Sequence, residues 1–224
     1  MRKFILGILF LVCSVGTIKA QNVEYGIFTE FNLTMLEYET RFPPKESDFG
    51  PGFAVGIYLK KNLTSSFSFY PRLSFSNNTT KRTGSGQYEF DGDTYTYQLD
   101  DKLTGKFVVL DGLFAYDIVS ASGLRLSLIS GVSLGVLFDA EQDVEASSEL
   151  NGSPEDQVND ESDVTENVTN NLDIRPTIGI GIENNRFGLE IIYKHGVTNF
   201  VNQDEPYASS LKGRYLSIGL KFPL

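Results

Sequence analysis

The chain has 224 residues, with 19 Lys and Arg against 29 Asp and Glu, a single His and a single Cys, for a formal charge of −10. Such acidity argues against nucleic acid as a partner, because phosphate binding needs clustered Lys and Arg, and one cysteine cannot build a disulfide framework or a thiolate zinc site. After the first twenty residues, no stretch approaches the ~18 uninterrupted apolar residues of a membrane helix.

Residues 1–20 read as an export signal: Arg2 and Lys3, the apolar run FILGILFLV, then TIKA with small Ala20 before Gln21. The run is too short to span a bilayer. Cys13 follows Val12 directly after it and is expected to leave with the signal without carrying lipid. Cleavage would leave 16 basic and 29 acidic side chains, a formal charge of −13, and no cysteine. Residues 21–224 then suit one domain.

Period 2 dominates that domain, the mark of strands with two unlike faces. In NVEYGIFTEFNLTM, Val23, Tyr25, Ile27, Phe31 and Leu33 oppose Glu24, Gly26, Glu30 and Asn32. In GFAVGIYL, Phe53, Val55, Ile57 and Leu59 oppose Ala54, Gly56 and Tyr58. SFSFYPRLSFS sets Phe67, Phe69, Leu73 and Phe75 against Ser68, Tyr70, Arg72 and Ser74. KFVVLDGLFAY is less clean: Val108, Leu110, Phe114 and Tyr116 share one face, and Asp111 sits among apolar neighbours on the other. LRLSLISGVSLGVLF sets six aliphatics, Leu124 to Val136, against Arg125, Ser127, Gly131, Ser133 and Gly135. LDIRPTIGIGIE opposes five aliphatics to Asp173, Arg175, Thr177, Gly179, Gly181 and Glu183. RFGLEIIYKHG opposes Phe187, Leu189, Ile191 and Tyr193 to Gly188, Glu190, Lys194 and Gly196, and YLSIGLKF opposes Leu216, Ile218, Leu220 and Phe222 to Tyr215, Ser217, Gly219 and Lys221. Pro71 and Pro176 fall within two of these segments and should mark bulges or local breaks, since each removes a ladder donor.

The links alternate in length. KKNLT, DIVSASG and NN are short, whereas the other four run to about 14, 28, 33 and 13 residues. In an up-and-down barrel every short link falls at one end and every long one at the other, as in transmembrane barrels with short periplasmic turns and long extracellular loops. The longest, residues 139–171, carries eleven carboxylates and no Lys or Arg; it is expected to be an acidic extracellular loop, solvated and mobile. Residues 87–100, QYEFDGDTYTYQLD, flank the turn dipeptide Asp91-Gly92 with alternating aromatics, predicting that the third and fourth strands continue beyond the membrane as a ribbon. Tyr88, Tyr95 and Tyr97 there are candidate contacts for a glycan or protein.

Alternation alone fits two architectures, because a soluble lipocalin-like barrel inverts the same two faces. The Gly- and Ser-rich polar face suits the crowded lumen of eight strands. Its charges also balance: Glu24, Glu30, Asp111, Asp173, Glu183 and Glu190 against Arg72, Arg125, Arg175, Lys194 and Lys221. Enclosed carboxylates require such partners. The expected fold class is therefore all-β, an eight-stranded antiparallel up-and-down transmembrane β-barrel in outer-membrane lipid, expected to be monomeric, with no metal and no cofactor. The lone His195 shares parity with Tyr193 near a strand end, and nothing places a serine beside it for a catalytic triad; no enzymatic activity is expected.

YKHGVTNF at 193–200 resembles the penultimate strand, and RYLSIGLKF at 214–222 the closing strand, of the PorT-like outer-membrane β-barrel family of Bacteroidota. That family's closing strand ends on an aromatic; here Pro223 and Leu224 follow Phe222. The resemblance implies an eight-stranded outer-membrane barrel and leaves the function open between a plugged anchor presenting its loops to envelope or surface partners and a narrow pore or secretion accessory.

Overall fold

The computed structural model describes residues 23–40, 46–90, 92–121, 123–151, 153–163, 171–199 and 208–224; the export signal expected at 1–20 lies outside them. Ten strands occur among these residues: β1 (Val23–Thr40), β2 (Glu46–Asp48), β3 (Gly50–Asn62), β4 (Phe67–Phe90), β5 (Asp93–Ala121), β6 (Leu124–Leu150), β7 (Ser153–Asp163), β8 (Leu172–Glu183), β9 (Gly188–His195) and β10 (Ala208–Pro223). Eight of them, all but β2 and β7, close a ring in which each strand pairs antiparallel with its neighbours in the chain and β10 returns to β1. The ring matches the eight alternating segments one for one. Its seam runs from Gly26↔Pro223 to Thr40↔Ala208 and continues past the last rung, where the Leu224 amide donates to the Tyr25 carbonyl at 3.0 Å.

Burial decides which way the faces point. Ile27, Ile57, Val108, Leu128, Ile178, Ile180 and Ile218 are exposed on the outside, while Arg72, Asp111, Asp173, Arg175 and Glu190 are almost fully buried within. This is the inverse of a soluble barrel, whose apolar face would line the interior, and it excludes the lipocalin-like alternative. Aromatics gather at both borders of the outer belt: Tyr25, Phe67, Tyr116, Phe187 and Phe222 near the short turns, and Phe53, Phe75, Phe138 and Tyr193 near the opposite end. Aromatic girdles of this kind frame the apolar band of membrane barrels. Phe75 touches both Phe53 and Phe138, with ring centroids 6.4 and 5.9 Å apart.

The prolines mark local breaks in pairing, as expected, and no bulges. Pro71 pairs with Gly112 and Pro176 with Val132 without any shift of register, and the shifts among the described residues lie elsewhere, at Glu39/Thr40, Lys106/Phe107, Asp117/Val119 and Ser148/Glu149. Beside Pro71 the ladder to β3 passes from Tyr58↔Arg72 to Lys61↔Phe69, omitting the rungs between but keeping the frame. Pro176 stands one residue beyond Thr177↔Lys194, where the β8–β9 pairing ends. Each proline thus sits where one side of its strand makes no rung, so the missing N–H removes little.

A correction concerns residues 139–171. Residues 139–150 belong to β6 and 153–163 form β7, so the expected mobile loop is a hairpin up to Asp163. The reason is local. Leu150 and Ser153 pair with two residues between them, and Asn151, the first of these, adopts φ 52°, the left-handed region that Asn tolerates. Between β4 and β5, Phe90 pairs with Asp93 at the same spacing, with Gly92 at φ 88°.

Candidate functional site

Two features outside the lipid-facing belt carry chemistry: the filled lumen and the sheet that rises beyond the barrel's long-loop end. The lumen is built from inward positions of all eight ring strands. Arg72 on β4 lies at its centre, its guanidinium 2.8 Å from Glu30, 2.6 Å from Asp111 and 3.1 Å from Glu190. The Phe28 ring lies 4.6 Å beneath it and Tyr70 5.6 Å away, faces that suit a planar cation stripped of water. Lys194 reaches Glu30 at 3.2 Å and Asp111 at 3.7 Å, and Lys221 joins Glu190 at 2.7 Å to Glu183 at 2.8 Å.

Toward the short turns, Glu183 also pairs with Lys60 and, at 3.1 Å, with Arg125. Glu24 accepts the Tyr58 hydroxyl at 3.0 Å and lies 3.8 Å from Arg125. Toward the long-loop end, Asp173 pairs with Arg175 at 2.5 Å and accepts the Tyr215 hydroxyl at 2.9 Å, while Arg175 stacks on Tyr215 and Phe107, 3.9 and 4.9 Å from their centroids. A cavity of about 10 Å³ between Glu30, Asn32, Ser76, Arg175 and Lys194 has room for roughly one water and for nothing larger.

The structure therefore gathers all eleven lumen charges expected from sequence into connected groups. Nine are buried, whereas Glu24 and Arg125 occupy the mouth, about a quarter to a third exposed. Sequence reasoning missed Lys60, which lies one residue past the alternating stretch GFAVGIYL, and Arg82 and Asp101, a buried pair above the barrel proper. It also missed the lumen's apolar part: Phe28, Leu113, Ala115, Ile129 and Ile192 pack with Tyr58 and Tyr70. Continuing the inward parity of Asp111 to Val109, Leu113 and Ala115 would have found the β5 members. With Lys60, Arg82 and Asp101 included, six basic and six acidic side chains are buried among the described residues. The interior is neutral without any bound ion.

The second feature begins just beyond the outer belt. β4 and β5 stay paired from Asn77↔Lys106 to Phe90↔Asp93, β5 and β6 from Lys106↔Asp139 to Tyr95↔Leu150, and β7 adds to β6. β2 joins the other edge through Glu46↔Thr83 and Asp48↔Lys81. Lys106 donates to Asp139 at 2.5 Å and to Glu141 at 2.8 Å, and these bonds, Asp139 first, hold its ammonium above the usual lysine range. Lys102 reaches Asp143 at 3.0 Å. The two hairpin tips are tied together: Asn151 takes the Thr94 amide on its side-chain oxygen at 2.9 Å and donates to Asp93 at 2.8 Å. Tyr97 lies across Gly86, where a Cβ would collide with its ring, and it remains about a third exposed. Tyr95 is half-buried and pairs in register with Tyr88, whose side chain lies outside the described residues. His195 sits at the rim of the belt with its Nδ1 3.1 Å from the Tyr193 hydroxyl.

The profile of the outer membrane protein beta-barrel domain family matches residues 19–202, most of the chain and seven of the eight ring strands. The chain belongs to this family. As an outer membrane beta-barrel domain it resides in the outer membrane, with lipid against its exposed aliphatic belt. No curated protein matches it. Among solved structures, Ail, the attachment invasion locus protein of Yersinia pestis, seen with the heparin analogue sucrose octasulfate, shares 11% identity at a TM-score of 0.41, covering 91% of this chain and 100% of its own. Neisserial surface protein A shares 13% at a TM-score of 0.34, covering 91% and 100%. The outer membrane enzyme PagL shares 11% at 0.34, covering 87% and 99%.

Proposed function

We propose that this barrel is a plugged anchor that holds a rigid acidic sheet on the outside of the cell, for contact with envelope or surface partners. The observation that carries this reading is the contrast between its two halves. The lumen is packed with neutralising ion pairs around a cavity of about 10 Å³, while β4, β5 and β6 run on for a dozen or so residues beyond the belt to build a surface of their own. A structure spent on transport would do the reverse. In this reading the short turns, Val23 and Leu224 face the periplasm, the export signal at 1–20 is removed, and the PorT-like resemblance of the last two strands supports kinship with Bacteroidota barrels. The role is one of binding without catalysis. Tyr95 and Tyr97 contribute contact surface on one face of the sheet.

Cysteine placed at Ser147, in cells expressing the full chain, tests the display directly. Labelling of intact cells by a membrane-impermeant maleimide is expected, and crosslinking from the same position should capture the partner. Protection of that cysteine in intact cells together with labelling after lysis would refute the orientation. Stable ohmic conductance of the purified barrel in planar bilayers would refute the plug and favour the narrow-pore alternative.

A further inference from the structure

Among the described residues the projecting sheet ends at β7. Among the described residues β7 pairs only with β6, so its other edge carries a row of backbone N–H and C=O groups with no strand beside it. Natural sheets protect such edges or use them to accept an extended segment from a partner.

Charge on the hairpin says which segment fits. Residues 139–163 contain ten carboxylates and no Lys or Arg, and the register pairs acidic positions with acidic positions: Glu141↔Asp163 and Asp143↔Glu161. Directly opposed like charges destabilise a sheet. On the β5 side Lys102 and Lys106 relieve Asp139, Glu141 and Asp143, but β7 supplies no counterpart from its own sequence, SPEDQVNDESD. The carboxylates also fall in both alternating sets of the edge strand. Asp163 and Glu161 share rungs with Glu141 and Asp143, whereas Asp160 and Asp156 share rungs with Val144 and Ser148. A second copy of the same edge would bring five more carboxylates against five. That disfavours self-pairing and leaves the edge open for a strand of opposite sign.

We propose that the free edge of β7 accepts an extended, Lys/Arg-rich polypeptide segment as an added strand, main-chain hydrogen bonds supplying the affinity and the carboxylates of the hairpin selecting cationic sequence. This deepens the display reading and rests on it. The apolar residues of the adjoining rungs, Leu99, Val144 and Ala146, are half-exposed on one face of the sheet, so aliphatic side chains interspersed among the partner's cations would find contact there.

The test uses the full chain in detergent micelles and a fluorescent twelve-residue peptide of alternating Lys and Val, followed by anisotropy. Binding is expected, with a gain of intermolecular β signal in the infrared amide band. Neutralising the edge by Glu155→Gln, Asp156→Asn, Asp160→Asn, Glu161→Gln and Asp163→Asn should weaken it at least tenfold. The wild-type chain also meets a peptide of the same composition with alternating D and L residues, which cannot form a regular strand. Equal binding of that peptide would mean mere attraction between charges and would overturn the edge. Preference for heparin over the Lys-Val peptide would overturn the cationic assignment. The cell-labelling experiment at Ser147 separates the two levels: labelling without peptide binding sinks this inference alone, and protection sinks the display reading beneath it.

Discussion

Replacing Arg72 by Met should remove most of the barrel's stability margin while preserving side-chain bulk. Arg72 is fully buried and serves three carboxylates at once, Glu30, Asp111 and Glu190, at 2.6 to 3.1 Å. Taking away one member of a buried pair leaves an uncompensated charge, at a cost of about 3–5 kcal/mol. Lys194 and Lys221 limit the loss, because Glu30 keeps Lys194 and Glu190 keeps Lys221. The orphan is Asp111, whose remaining cation, Lys194, stands 3.7 Å away and already serves Glu30. Adding Asp111→Asn to Arg72→Met should accordingly recover more than half of the loss, since it restores a neutral interior. Urea titration of folding into lipid vesicles, read by the shift between compact and heated bands on a gel, measures both variants. If Arg72→Met stays within about 1 kcal/mol of wild type, the range of an exposed ion pair, or if Asp111→Asn deepens the defect, the lumen is not the closed electrostatic unit described above.

On the lipid face, Leu128→Arg or Ile180→Arg should impair assembly by roughly 2 to 4 kcal/mol, seen as loss of the compact band. Replacing residues 141–170 by a short Gly/Ser link should leave that band intact, because the ring strands pair without them; Ala140 is kept, since it packs with Phe107, Val109 and Leu137. Asn151→Ala places an ordinary residue in a left-handed turn at a cost of about 1–2 kcal/mol, which should raise protease cleavage within 139–163 without changing the barrel band. His195→Ala should leave any measured phenotype unchanged.

Strand number, facing and ion-pair composition were legible because a period of 2 leaves each residue only two places to go, and only one of them tolerates charge. Arg72, Asp111 and Glu190 were assigned to the lumen from parity alone and meet there. Lys60 stands one residue past the alternating stretch that ends at Leu59, and Phe28 is an aromatic within a polar series, so neither signals its place by pattern. The acidic hairpin escaped for a different reason. Its composition weighs against order, and the Asn151-Gly152 turn signal stands amid carboxylates. Yet the segment gains its order from a neighbour that it cannot announce in its own sequence: β5 offers it a ladder and two lysines. How the chain pairs ions across the lumen was equally beyond reach, since those partners stand as many as 164 residues apart.

The seam between the first and last strands sets a constraint on time as well as on shape. Fifteen rungs join β1 to β10 across nearly the whole chain, so no partial length of the protein can close. Until β10 arrives, β1 waits with one long unpaired border and a face of exposed aliphatics, the combination most prone to sticking to the wrong surface. Contacts so distant in sequence also form slowly. The chain must therefore be kept apart from its fellows for as long as closure takes, and the interval of greatest danger ends only when β10 has docked along β1 as far as Tyr25.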